Sequence, residues 1–186
     1  MNPLLDAARE ICGFMEERGW KYCIIGGLAV QRWGEPRTTL DADFTLLTGW
    51  GGEEPYVTAL LEKFASRIPG GREFALSRRV LLIHASNGRD VDIALGALPF
   101  EEEMVRRATP SEFAPGMALP CCTAEDLFVM KAFAARQRDW LDAESVAARQ
   151  KSLDTAYILN HLAALCELKE APEILARAKN ILGTNT

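Results

Sequence analysis

The sequence predicts an α+β fold, with a mixed sheet core and flanking helices over residues 1–108 and a helical extension over residues 109–186. Up to residue 108, short apolar runs bounded by glycine, proline or Asn-Gly alternate with amphipathic segments. Pro110, Pro115, Gly116 and Pro120 then crowd one stretch. Beyond them almost every segment repeats at helical spacing.

The length of 186 residues suits one ordinary domain, or a core with a smaller extension. Hydrophobic residues make up 48% and charged residues 25%, enough apolar surface to build a core. No apolar run approaches the roughly 18–20 residues that span a bilayer, so no membrane partner is expected. The N-terminus lacks a basic segment followed by an apolar one, so a cytoplasmic location is expected. A net charge of −5 argues against general coating of DNA or RNA, although it leaves room for a local basic patch. Five cysteines occur without Cys-x-x-Cys zinc spacing, and only two histidines accompany them. Cys12, Cys23 and Cys166 read as buried thiols. The adjacent Cys121 and Cys122 are open to oxidation but carry no assigned role.

In chain order, Asn2 caps a helix with Pro3 at its first position, and Leu4, Ala8, Ile11 and Met15 form its apolar face. Gly19 ends that segment. Tyr22 to Ile25 is a short apolar strand, Gly26-Gly27 a turn, and Leu28 to Trp33 a helix. After Gly34-Glu35-Pro36, Thr38 to Leu47 reads as a strand. Gly49 to Pro55 is a loop; Tyr56, Leu60, Leu61 and Phe64 mark a helix ended by Pro69-Gly70-Gly71. From Phe74 the chain reads strand-like. Val80–His84 and Asp90–Leu95 flank Asn87-Gly88, the strongest short hairpin signal. Glu101 to Ala108 is a short helix. In the extension, Thr123 with Asp126 three residues on forms a capping box, and helical pattern continues through Trp140–Gln150, Leu153–Cys166 and Glu173–Leu182.

Three features converge on one chemistry. Gly26-Gly27 follows a strand and opens a helix, where backbone N–H groups can approach a phosphate without an intervening Cβ. Asp41-Ala42-Asp43 lies in a strand, so both carboxylates share a face. Aspartate is depleted from strands and paired carboxylates repel unless a cation sits between them, but taken alone the pair reads more readily as an exposed strand face with two solvated acids than as a metal site. Mg²⁺ suits it, because it takes a few carboxylates and completes its shell with water and phosphates. Asp90-Val91-Asp92-Ile93 repeats the pattern in the hairpin. Asp90 and Asp92 share a face; Asp92, flanked by apolar residues, is the preferred third acid.

The run Ile24-Ile25-Gly26-Gly27, thirteen intervening residues, Asp41-Ala42-Asp43 and then Val91-Asp92-Ile93 resembles the DNA polymerase β-like nucleotidyltransferase superfamily. Arg37-x-Thr39-x-Asp41-x-Asp43, with Lys131 and Arg138-Asp139-x-x-Asp142 in the tail, resembles its small bacterial branch, which includes AbiEii-type toxins. The resemblance covers residues 20–145 and implies a nucleotidyltransferase-like core that moves a nucleoside monophosphate from an NTP to a hydroxyl. The acceptor would be a tRNA, a protein or a small molecule. It implies two Mg²⁺ ions on Asp41, Asp43 and Asp92, with the triphosphate cradled by Gly26 and Gly27. It also implies an antitoxin partner if the chain is a toxin–antitoxin component. Arg37 and Thr39 are placed to reach phosphates or to serve the strand edge. Lys131 either joins a solvated helix face of ion pairs or, on the resemblance, contacts the nucleotide. The alternative is an inert nucleotidyltransferase fold that binds a nucleotide or a protein partner. No Gly-x-Ser-x-Gly elbow and no Gly-x-x-x-x-Gly-Lys-Ser/Thr run is present, which leaves little for a hydrolase or a P-loop NTPase.

Overall fold

Asn2 caps α1 (Pro3–Glu16) through Oδ1, which accepts the Leu4 N–H at 3.0 Å. Leu4, Ala8, Ile11 and Met15 are all buried along that helix, the face its spacing predicts. The computed structural model describes residues 2–184; Met1 and the last two residues of the predicted extension, 185 and 186, lie outside it. The chain divides into two compact units, one of residues 1–28 and 38–122, the other of residues 29–37 and 123–186.

The first unit holds a seven-stranded mixed sheet. Its strands are β1 (Tyr22–Ile24), β2 (Asp41–Leu47), β3 (Ala65–Ser66), β4 (Val80–His84), β5 (Asp90–Gly96), β6 (Thr109–Ala114) and β7 (Met117–Cys121). They lie in the order β3-β4-β5-β2-β1-β7-β6. β2 and β5 run parallel at the centre, with Asp41 opposite Asp90 and Asp43 opposite Asp92. β1 flanks β2 antiparallel, and β4 flanks β5 antiparallel through the Asn87-Gly88 turn, where Gly88 takes φ 78°. Alternation along the two central strands buries Ala42, Phe44, Leu46, Val91 and Ile93 in the core cluster that also contains the buried row of α1. The opposite parity leaves Asp41, Asp43, Asp90 and Asp92 together on the other face. The burial of one face fixes this register, since a one-residue slip would carry the acids into the core.

Helices α3 (Glu53–Lys63), α4 (Gly71–Arg78) and α5 (Pro99–Arg107) complete the unit. Two segments differ from the sequence reading. The stretch from Phe74, read as strand-like, is α4. It buries only Gly71 and Ala75, while Phe74 and Leu76 are exposed, so it lacks the apolar row by which a helix is recognised. Arg79 closes it with φ 57°. Residues 109–121, read as the start of the helical extension, are instead the β6–β7 hairpin of the sheet. Pro110 sits opposite Pro120 there, on the edge strand where a missing N–H is tolerated. Prolines that usually argue against a strand thus mark a sheet edge.

The second unit is helical. It contains α6 (Ala124–Ala134), α7 (Gln137–Arg149), α8 (Thr155–Lys169) and α9 (Pro172–Ile181), together with the later turns of α2 (Gly26–Trp33). The predicted capping box opens α6: Thr123 Oγ1 accepts the Asp126 N–H at 3.3 Å, and the Asp126 carboxylate accepts from Thr123. All five cysteines are buried thiols outside any disulfide, including Cys121 and Cys122. Burial pushes the Cys12 thiol up to about 12. No helix among the described residues is long and apolar enough to cross a membrane.

Candidate metal and nucleotide site

Strand parity and the parallel β2–β5 register arrange four aspartates as a two-by-two grid on one sheet face. Three of them converge. Asp41, Asp43 and Asp92 each offer a carboxylate oxygen within 4.8 Å of the others, and all three side chains are partly accessible. Ligands of one octahedral ion with bonds of about 2.0–2.1 Å lie about 3 Å apart when adjacent and about 4.2 Å apart when opposite, so the three oxygens can share one Mg²⁺ once their side chains move inward. Oxygen donors alone, in a partly solvated setting that leaves room for water and phosphate, fit that ion.

The two glycines are fitted to this cluster. Gly26 has φ 60°, and a Cβ added there would fall 1.9 Å from Asp43 Oδ2. The neighbouring Gly27 N–H donates to that same Oδ2 at 3.1 Å. A Cβ on Gly27 would lie 2.2 Å from Thr39 Oγ1. Thr39 in turn donates to Asp41 Oδ1 at 3.0 Å. The glycines therefore allow Asp43 and Thr39 to close in on the turn, which is a tighter reason for Gly-Gly than phosphate approach alone. Gly26→Ala is expected to displace the Asp43 carboxylate and to cut turnover about 10²-fold, the effect of roughly 1 Å of misplacement. Circular dichroism should show the fold retained at a cost in stability, because the added Cβ also meets Asp43 Cβ at 2.6 Å and φ 60° strains any residue with a Cβ.

Asp90, the other candidate for third acid, lies outside the converging three. Its Oδ1 lies 3.0 Å from His84 Nδ1 and its Oδ2 lies 3.3 Å from Arg67 Nη2. Arg67 also pairs with Asp92 through Nη1. Asp92 is held above the ordinary carboxylate range, first by burial, which penalises its charge, then by Asp41 and Asp90; Arg67 opposes that shift.

Arg37 and Lys131 belong to the helical unit, where both pair with Asp142. Arg37 forks onto the carboxylate with Nε–Oδ1 and Nη2–Oδ2 each at 2.8 Å. Lys131 Nζ lies 2.9 Å from Asp142 Oδ2 and 3.0 Å from Asp139 Oδ1. The ion pairs expected around Lys131 are present, but within the unit rather than on a solvated face, with the Asp142 side chain only 4% exposed. Burial alone would raise the Asp142 pKa, yet the hydrogen bonds from Arg37 and Lys131 prevail and hold it below the usual range. Arg67 was invisible to sequence reasoning. Its one available signal was that four crowded acids call for a nearby cation.

No family model matches the chain, and no curated protein matches its sequence. Several solved structures share its fold. An antigenic nucleotidyltransferase-like protein from Paracoccidioides brasiliensis superposes with a TM-score of 0.56 at 15% identity, over 94% of this chain and 93% of that one. The antibiotic-resistance factor ANT(2'')-Ia gives a TM-score of 0.54 at 18% identity, over 91% and 94%. The lincomycin-bound lincosamide antibiotic adenylyltransferase LnuA gives a TM-score of 0.53 at 10% identity, over 78% and 97%. At these identities the likeness establishes a nucleotidyltransferase-like α+β fold.

Proposed function

We propose that this chain is a metal-dependent nucleotidyltransferase that moves a nucleoside monophosphate from an NTP to a hydroxyl acceptor. The observation that carries the proposal is the convergence of Asp41, Asp43 and Asp92 within 4.8 Å, beside a glycine turn built around Asp43. Like charges are brought this close at a cost that a bound cation repays. Bound at the three carboxylates, Mg²⁺ would neutralise the charge that develops on the transferring phosphoryl group and the leaving pyrophosphate.

The chain's own residues then have distinct tasks. Asp41 and Asp43 hold the metal, with Thr39 orienting the Asp41 carboxylate. Gly26 and Gly27 present the turn at the start of α2, where the helix dipole favours phosphate. Asp92 accepts the proton of the attacking hydroxyl. The acceptor oxygen bonds to the α-phosphorus as the bond to the bridging oxygen of the β-phosphate breaks, releasing pyrophosphate. In this reading Arg37 and Lys131 serve Asp142, and any contact with nucleotide competes with those pairs.

A small hydroxylated molecule is the favoured acceptor. The similar structures include an antibiotic-resistance factor and an adenylyltransferase holding lincomycin, and a net charge of −5 disfavours a large RNA footprint. A role as a toxin acting on tRNA, with an antitoxin, is the competing assignment for the same chemistry. Calorimetric titration of ATP, GTP, CTP and UTP with and without Mg²⁺, followed by assays of pyrophosphate release with small-molecule or tRNA acceptors, tests the proposal. Metal-dependent binding of one NTP and pyrophosphate release are expected. Absence of binding to all four would favour an inert fold that engages a protein partner.

A further inference from the structure

Arg67 is a charged side chain at the candidate metal site that neither the glycine turn nor the acid triad accounts for. It follows β3 at the sheet edge, where its N–H donates to Leu82 O at 3.0 Å. Leu82 is in turn the register partner of Asp92 on the far side of β4. Adjacent strands lie about 4.8 Å apart, so Arg67 reaches the acids across two strand spacings, roughly 10 Å, a span suited to an extended arginine. Its guanidinium forks over two carboxylates two residues apart on β5: Nη1 on Asp92 and Nη2 on Asp90, the latter at 3.3 Å. Of those two acids only Asp92 belongs to the converging triad. The Arg67 side chain is 25% exposed, so it has room to shift.

We propose that Arg67 is a positioning counter-ion that holds a carboxylate oxygen of Asp92 until a divalent cation displaces it onto Asp90. The inference rests on the nucleotidyltransferase reading of the triad. Arg67 supplies the positive charge that the crowded acids need when the cation is absent, and it holds Asp92 in place. Asp90 lies outside the triad and gives the guanidinium a second carboxylate, so loading the metal does not leave Arg67 without an ionic partner. On the other side of Asp90, His84 Nδ1 lies 3.0 Å from Oδ1 without making a hydrogen bond to it. The fork makes the exchange a small rotation rather than a withdrawal from the site.

Mn²⁺ titrated into the full-length protein, followed by electron paramagnetic resonance, tests this directly. Arg67→Met removes the competitor and is expected to tighten Mn²⁺ binding about tenfold, the scale of one charge-assisted hydrogen bond. Arg67→Lys, which keeps the charge and loses the fork, should fall between Met and wild type. Asp90→Asn removes the alternative partner and should weaken binding in the wild-type background. In the Arg67→Met background the same change should matter less, with a coupling of roughly twofold or more. Unchanged or weaker binding in Arg67→Met overturns the proposal, as does an Asp90→Asn effect equal in both backgrounds. If wild type binds Mn²⁺ and Asp43→Asn does not, the metal site stands whatever Arg67 does. If neither wild type nor Arg67→Met binds Mn²⁺, the metal site and this proposal fail together.

Discussion

Asp43→Asn is expected to reduce NTP turnover by about 10³-fold or more while leaving the fold intact. Asparagine keeps the size of the side chain and one carbonyl oxygen, so the bond from the Gly27 N–H can persist. What it removes is one negative charge and one metal-ligand oxygen from a cluster whose three oxygens lie within 4.8 Å. Removing a like charge from crowded acids relieves repulsion, so the metal-free variant should unfold no earlier than wild type. Lost activity with unchanged or raised stability is the signature of a residue placed for function against local electrostatic preference. Asp41→Asn should behave alike, since Thr39 can still donate to the remaining oxygen. Pyrophosphate release read beside thermal melts decides the matter: turnover near wild type in either variant would remove the triad from the mechanism.

The second large effect lies in the helical unit and concerns stability. Asp142→Ala is expected to destabilise the protein by about 3 kcal/mol, the lower end for breaking a buried ion pair, because the Arg37 side chain is 25% exposed. The loss has a structural cause. Asp142 on α7 joins Arg37, 105 residues earlier, to Lys131 on α6, and its removal leaves both cations without that partner. The sign with pH follows from the depressed pKa of Asp142. Its stabilisation is fully present above the unfolded value of about 3.9 and is lost as pH falls through the lower folded value. The gap in denaturation midpoint between wild type and Asp142→Ala should therefore be constant near neutral pH and close in the acid range. A gap that persists unchanged well below pH 3 would assign the effect to lost packing rather than charge.

Much of the candidate site was legible because strand geometry is local. Alternation alone placed Asp41 and Asp43 on one face, and the position of Gly26-Gly27 between an apolar run and a helical one placed the turn. The Thr123–Asp126 box and the Asn87-Gly88 hairpin were equally readable, since each is closed by atoms a few residues apart. Segment α4 escaped because its burial falls on a glycine and an alanine, which carry no apolar signature. The β6–β7 hairpin escaped because its prolines imitate a linker.

The sequence by itself determined the chemistry on offer: which acids share a face, where a phosphate could meet a helix start, and which elements are helix or strand wherever a periodic apolar row exists. Only the tertiary structure decided which acid completes the triad. Asp90 and Asp92 have the same parity, and the choice fell to the parallel register with β2, which sets Asp92 opposite Asp43. It likewise decided that Arg37 and Lys131 converge on Asp142. The β2–β5 register and the Arg67–Asp92 and Arg37–Asp142 pairs join residues 25 to 105 positions apart. Such contacts depend on how whole elements pack, and no local pattern in the chain encodes them.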